Sequence, residues 1–383
     1  MQKQNKRIIE LDYLRASAFC AVVLQHVLGY FGRQSVTTYQ HSILLGLIFG
    51  MVKFAVPMFV FLSGMVLFHT YYEKLNYLKF LRKRLVTIFI PFLLFTVFYV
   101  LYPNQNIFDI TFQWLLNLIP LLIYGSGKYH LWYVAMIFQG FLLLPILIWI
   151  FKKIEAWLMN KKRIYVYFFI LFFLSLYVVY ITYYYQLFGF INQPLIKSFF
   201  FKMHSVGFVS YIAYFFLGAV AARYYDQWIM FVNKHKWSIT GMMLLAYGYI
   251  EIYGIRNSQD FIDLNLYSTL NLRFFVFTVA TILFMYWFSL RITNYFVSLD
   301  KNIIVKSIIV KSIAFISKYS FFAYLVHAFV LNEVNNFLLN YSLSIPVFYT
   351  LLSVFTITIS VILGFILWWV YTKIIVLFKT IFS

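Results

Sequence analysis

Cysteine is almost missing from this sequence. Cys20 is the single one in 383 residues, which excludes an intrachain disulfide. Acidic residues are scarce as well. Eleven Asp and Glu stand against thirty-one Lys and Arg, and only 11% of residues are charged at all. No long polar stretch occurs, so no soluble domain is visible. The sequence has no HExxH, no paired CxxC, no GxSxG and no Walker loop. His26, His130 and His327 do not have metal-ligand spacing, and no metal is expected. Any chemistry must therefore be built from the faces of helices.

What the chain has in quantity is apolar surface: 63% of residues are hydrophobic and 23% aromatic. No soluble core needs that much, so the chain reads as an all-α polytopic membrane protein. One bundle of about ten transmembrane helices is expected, forming a single membrane domain over 1–383 with its core helices at about 9–372. The apolar runs place spans at approximately 9–31, 42–68, 86–102, 130–151, 164–184, 206–223, 238–254, 270–290, 319–339 and 345–372. Pro57 should kink the second, and Pro91 should bend the start of the third. Many Tyr and Trp fall near span ends, as interfacial belts require. The N-terminal MQKQNKRIIE lacks a small-residue cleavage site, so no cleaved signal peptide is expected.

The net charge of +20 could suggest nucleic acid, but the basic residues lie in short loops between apolar spans. With both termini cytoplasmic, twenty-three Lys and Arg fall on inner segments and five on outer loops. That is the positive-inside pattern of a multi-pass protein of the cytoplasmic membrane. The bilayer is the expected partner, and nucleic acid is not. The one repeat, IIVKS-IIVKS at 303–312, reads as an interfacial amphipathic segment.

Polar residues inside the apolar runs are the candidates for function. Arg15 and His26 are eleven positions apart in the first span, about three helical turns, so they share a face roughly 16 Å apart along the axis. Both are costly in hydrocarbon. Alone, Arg15 could snorkel to headgroups and His26 could be a packing residue. Together, with Asp12 three residues before Arg15, they read as a site. Asp12 can hold Arg15 in place. The arginine offers a permanently charged donor fork to a phosphate. The histidine can take a proton from a hydroxyl. Lys53 falls near the centre of the second span, where an unpaired lysine should face the bundle interior or a wet cavity. Pairing with a carboxylate is its structural alternative. Ser63 and Gly64 read as a close helix approach. Arg82, Lys83 and Arg84 precede the third span, as a topology signal or a phosphate clamp. His130, Trp132 and Tyr133 open the fourth, as an aromatic belt or as site residues. His327 lies two turns into the ninth, where a hydrogen bond to a neighbouring helix explains it equally well.

Six segments in order carry a resemblance: LDYLR with Arg15 and then His26; KFAVPMFVFLSG from Lys53 to Gly64; FLRKRLVTIFIP with Arg82, Arg84 and Pro91; HLWYV with His130 and Trp132; YFFLG from Tyr214 to Gly218; and SKYSFFAYLVH with Ser317, Ser320, Tyr324 and His327. The chain resembles the integral-membrane acyltransferase family 3, in its single-domain surface-polysaccharide O-acyltransferase branch. The resemblance implies a ten-helix acyltransferase core. It implies an enzyme that moves an acetyl or succinyl group from cytoplasmic acyl-coenzyme A, acetyl-CoA in the commonest case, to a hydroxyl of a surface polysaccharide or glycolipid. By that similarity His26 is the catalytic base, Arg15 contacts the donor or supports the site, and Arg82 and Arg84 face the coenzyme's phosphates. Asp12, Lys53, Ser63, His130, Trp132, Tyr324 and His327 are the supporting or substrate-side set, with Lys53 a candidate to stabilise an oxyanion. Polysaccharide synthesis machinery is a further expected partner. The alternative is a polysaccharide exporter of the intercellular-adhesin type, since similar proteins have been assigned that role. Translocation would want a wide polar path, and the spans here offer few polar residues.

Overall fold

In a computed structural model the chain is described over residues 8–31, 38–102, 112–159, 161–258, 262–298 and 304–381. Fifteen α-helices occur among them. They are α1 (Glu10–Phe31), α2 (Tyr39–Val52), α3 (Ala55–Tyr71), α4 (Tyr77–Arg84), α5 (Ile90–Leu101), α6 (Phe112–Tyr124), α7 (Trp132–Met159), α8 (Arg163–Leu187), α9 (Pro194–Val206), α10 (Ile212–Arg223), α11 (Tyr225–Lys234), α12 (Lys236–Arg256), α13 (Leu272–Ser298), α14 (Ile304–Leu338) and α15 (Ile345–Ile381). No strand occurs among the described residues. Among the described residues nine helical segments are long and apolar enough to cross a membrane. The protein is an all-α polytopic membrane protein. The seventh expected span coincides with α12, whose twenty-one residues reach across a bilayer but include Lys236, Glu251 and Arg256.

Several boundaries differ from the sequence expectation, each for a local reason. The second span is two helices, α2 and α3, interrupted at Lys53 and Phe54. Pro57 has no N–H to give to the carbonyl of Lys53, four residues back, so the break falls one turn before the proline rather than at it. Lys53 therefore caps α2, its N–H bonding the Gly50 carbonyl, instead of sitting in mid-helix. The third span begins at Tyr77, and a π-helical turn, Leu85–Phe89, joins α4 to α5. Pro91 again accounts for it, because its missing N–H frees the Thr87 carbonyl and the turn widens. The sixth span is α9, a 3-10 turn over Phe208–Tyr211, and α10. The IIVKS repeat is not a separate interfacial piece. From Ile304 onward it forms the first turns of α14.

Contacts divide the chain into two compact units. The first comprises Met1–Leu62, Asp226–Thr269 and Arg273–Ser383. Its centre is α1 packed against α14, α14 against α15, and α2 against α1 and α12. The second comprises Ser63–Tyr225 and Leu270–Leu272. There α7 packs against α4, α6 and α9. In the second unit Gly64 lies against the backbone carbonyl of Phe215, where a side chain would collide, so the Ser63–Gly64 pair does mark a close helix approach. Large apolar residues such as Leu171, Phe172, Leu245 and Trp369 face outward, as a lipid-facing surface requires.

Candidate active site

In the first unit α1 and α14 run parallel and carry polar groups at two matching levels. At the lower level the Ser317 hydroxyl donates to Asp12 Oδ1 at 2.8 Å, and Arg15 Nη1 donates to Ser317 Oγ at 3.1 Å. Arg15 Nη1 also lies 3.6 Å from Asp12 Oδ1. The i, i+3 spacing brings the two charges together, and Ser317 from α14 completes the triangle. The Arg15 side chain stays 33% exposed, so part of its donor fork can still meet an anion.

Eleven residues further along α1, His26 meets His327, which is ten residues beyond Ser317 on α14. The two imidazoles stack with centroids 5.2 Å apart and planes inclined by 26°. His327 is fully buried. Its Nδ1 is 2.5 Å from the carbonyl oxygen of Tyr324, one turn earlier. A carbonyl only accepts, so Nδ1 carries the hydrogen and a neutral His327 keeps its lone pair on Nε2. The Tyr324 ring is 5.4 Å from the His327 ring. Lys53 is an electrostatic neighbour of His26, and its ammonium lies 4.5 Å from the centre of the Phe49 ring. No carboxylate pairs with Lys53 among the described residues. Packing over an aromatic face, worth about 0.5–2 kcal/mol, takes the place of the ion pair that was its structural alternative.

The fold thus brings Asp12, Arg15, His26, Lys53, Tyr324 and His327 into one unit. The remaining candidates belong to the other. There Arg82 is exposed while Arg84 is half-buried, its guanidinium 5.3 Å from the Phe80 ring and 5.2 Å from Phe141. Residues two apart on a helix do not share a face, so the two arginines cannot grip one phosphate together. His130 is buried between the rings of Tyr99 and Tyr129. Trp132 opens α7 with its ring 5.6 Å from Tyr211. Ser63 sits beside the Gly64 contact.

Two carboxylate clusters, one around the half-buried Glu155 and one around the buried Glu251, escaped the sequence reading, which followed basic residues and histidines. In the second unit Glu155 on α7 accepts from Arg223 Nε at 2.8 Å, from Tyr224 at 2.8 Å and from Tyr72, while Arg223 also reaches Glu73 at 3.5 Å. In the first unit Glu251 accepts from the Tyr267 hydroxyl at 2.8 Å. The signal that marks both is a carboxylate inside a long, mainly apolar helix. Among the described residues no group of three His, Cys, Asp or Glu could hold a metal ion.

Comparison with known proteins gives the family of the chain. The acyltransferase domain family matches residues 8–365, and the chain belongs to it. Two Staphylococcus aureus proteins, from strains Mu50 and MSSA476, are each 25% identical over 329 residues, covering 85% of this chain and 83% of their own length. Both carry the name "probable poly-beta-1,6-N-acetyl-D-glucosamine export protein". No solved structure matches the chain.

Proposed function

We propose that this member of the acyltransferase domain family moves an acyl group, acetyl in the leading case, from cytoplasmic acyl-coenzyme A to a hydroxyl of a cell-surface polysaccharide or glycolipid. The stacked His26–His327 pair, about three turns from the Asp12–Ser317–Arg15 triangle, carries this reading. A long donor with phosphates at one end and a thioester at the other suits two polar levels about 15–16 Å apart on parallel helices. Arg15 meets a phosphate or holds the lower level in place. His26 takes the proton of the acceptor hydroxyl, the oxygen attacks the thioester carbon, and the carbon–sulfur bond breaks. The imidazolium then returns the proton to the sulfur. In this reading Lys53 stabilises the negative oxygen that develops at the carbonyl. The same reading places the N-terminus and C-terminus in the cytoplasm, from the charge bias between loops.

The experiment is acyl transfer by the purified protein from radiolabelled acetyl-CoA to β-1,6-linked N-acetylglucosamine oligomers, with acetyl-CoA hydrolysis followed in parallel. The second reading, export of such a polymer, is favoured by the names of the staphylococcal relatives. An exporter should show neither transfer nor hydrolysis.

A further inference from the structure

We propose that Thr356 and Ser360 on α15 form a hydroxyl rail that aligns the acceptor glycan against the His26–His327 pair. The inference rests on the acyl-transfer reading above.

Helix α15 has two kinds of hydroxyl. Thr350, Ser353 and Thr372 donate to the carbonyls of Pro346, Tyr349 and Trp368, four residues earlier, at 2.7, 2.7 and 2.9 Å. That is the ordinary arrangement for a hydroxyl in an apolar helix. Thr356 and Ser360 depart from it. Both are completely buried, and neither hydroxyl has a hydrogen-bond partner among the described residues.

Their level is set by the antiparallel packing of α15 on α14. Gly364 lies against the backbone of Ala323, where an added Cβ would come within 2.6 Å of the Ala323 nitrogen. Tyr319, one turn before Ala323, meets Phe365 and Trp368 at 5.1 and 5.2 Å between rings. One turn from Gly364 in the other direction is Ser360, and one turn beyond Ala323 is His327. Ser360 therefore stands at the level of the histidine pair. Thr356 follows about 6 Å further from the end that holds Arg15, level with Leu331. The next turn of α14 brings Asn335, also buried.

A dry hydroxyl is unfavourable, and a well-packed helix interface without a use for it would accept alanine or valine instead. A hydroxyl both donates and accepts and carries no charge. The buried stripe Tyr349, Leu352, Thr356, Ser360 and Gly364 contains no cation. Its chemistry suits the hydroxyls of a sugar and not the phosphates of a donor. A sugar on the rail would satisfy both hydroxyls, which favours the occupied arrangement over the closed one. It would also hold the attacking O–H beside His26. That proton passes to the imidazole, the acceptor oxygen bonds the acyl carbon, and the thiol leaves with the proton.

The test uses the full chain in proteoliposomes with Cys20→Ala, which removes its only thiol. Thr356→Cys and Ser360→Cys are introduced singly and exposed to a small methanethiosulfonate reagent, with and without a β-1,6-linked N-acetylglucosamine oligomer. Both thiols should react, Thr356→Cys the faster, and the oligomer should slow both about tenfold. Inert thiols, or thiols the oligomer does not protect, overturn the proposal. In kinetics, Ser360→Ala and Thr356→Val should raise the oligomer's KM about tenfold and leave the KM for acetyl-CoA unchanged. Loss of thermal stability with an unchanged acceptor KM would make the hydroxyls packing groups and also overturn it. Sugar-protected labelling of the two cysteine variants, together with a wild-type protein that neither transfers nor hydrolyses the acyl group, would sink the acyl-transfer reading while leaving the rail standing.

Discussion

The His26 and His327 rings stack at 5.2 Å, and this contact keeps α1 and α14 in step at the second of two polar levels. The first level is Ser317 against Asp12 and Arg15. Spacings of eleven and ten residues on parallel helices rise about 16 and 15 Å, so the contacts are mutually consistent in register.

His26→Ala should abolish acyl transfer, with a loss of about 10²–10⁴-fold, while expression and coenzyme A binding persist. Acetylated glycan per folded molecule is the measurement. Near-normal turnover with reduced yield or thermal stability would assign His26 to packing instead.

Arg15→Ala should weaken coenzyme A binding in calorimetry, and Arg15→Lys should rescue poorly because the planar fork is lost. Ser317→Ala should reproduce part of the Arg15→Ala effect, since Ser317 bridges Asp12 and Arg15. The double variant should then fall short of the sum of the two single effects. Strict additivity would separate Ser317 from the function of Arg15.

Gly64→Val should lower thermal stability by about 1–3 kcal/mol or prevent folding, because its side chain would collide with the Phe215 carbonyl. Ser63→Ala, which leaves the approach intact, should be close to neutral in the same melting assay. Equal losses in both would remove the close-approach explanation.

Tyr72 and Tyr224 both hydrogen-bond Glu155, and their hydroxyls are each pushed up to about 12, first by burial and then by that hydrogen bond. The unfolded chain loses these protons near pH 10, while the folded chain keeps them. Their stabilisation is therefore complete below pH 10 and lost as pH rises through 12. Denaturation midpoints between pH 9 and about 12 should fall more steeply in wild type than in Tyr72→Phe. Parallel curves would contradict this.

A reporter fused after Arg163 should read cytoplasmic, and one at Asn192, in the link between α8 and α9, should read external. A cytoplasmic signal at Asn192 would overturn the proposed orientation.

Much of the fold was legible in the chain because a bilayer imposes length and apolarity on each helix separately. Helices α1, α7, α8, α12 and α13 begin within two residues of the spans read from composition. The misplaced features are those where a backbone hydrogen bond is lost. Pro57 acts through Lys53 and Pro91 through a π turn, and an apolarity profile carries no record of which carbonyl a proline strands. Glu155 and Glu251 were passed over because charge was read for topology, where carboxylates say little.

The sequence by itself determined that the chain is a polytopic helical membrane protein, that Arg15 and His26 share a helix face, and that its motifs follow an acyltransferase family. Those follow from local periodicity and from hydrocarbon's intolerance of unpaired backbone and charge. Only the tertiary structure decided that Ser317 closes the Asp12–Arg15 triangle and that His327 is the ring against His26. It also decided that Lys53 rests on Phe49, and that Ser360 lies level with the histidines. These pairings join residues up to about three hundred positions apart, and their register depends on how helices interlock, which no single helix encodes.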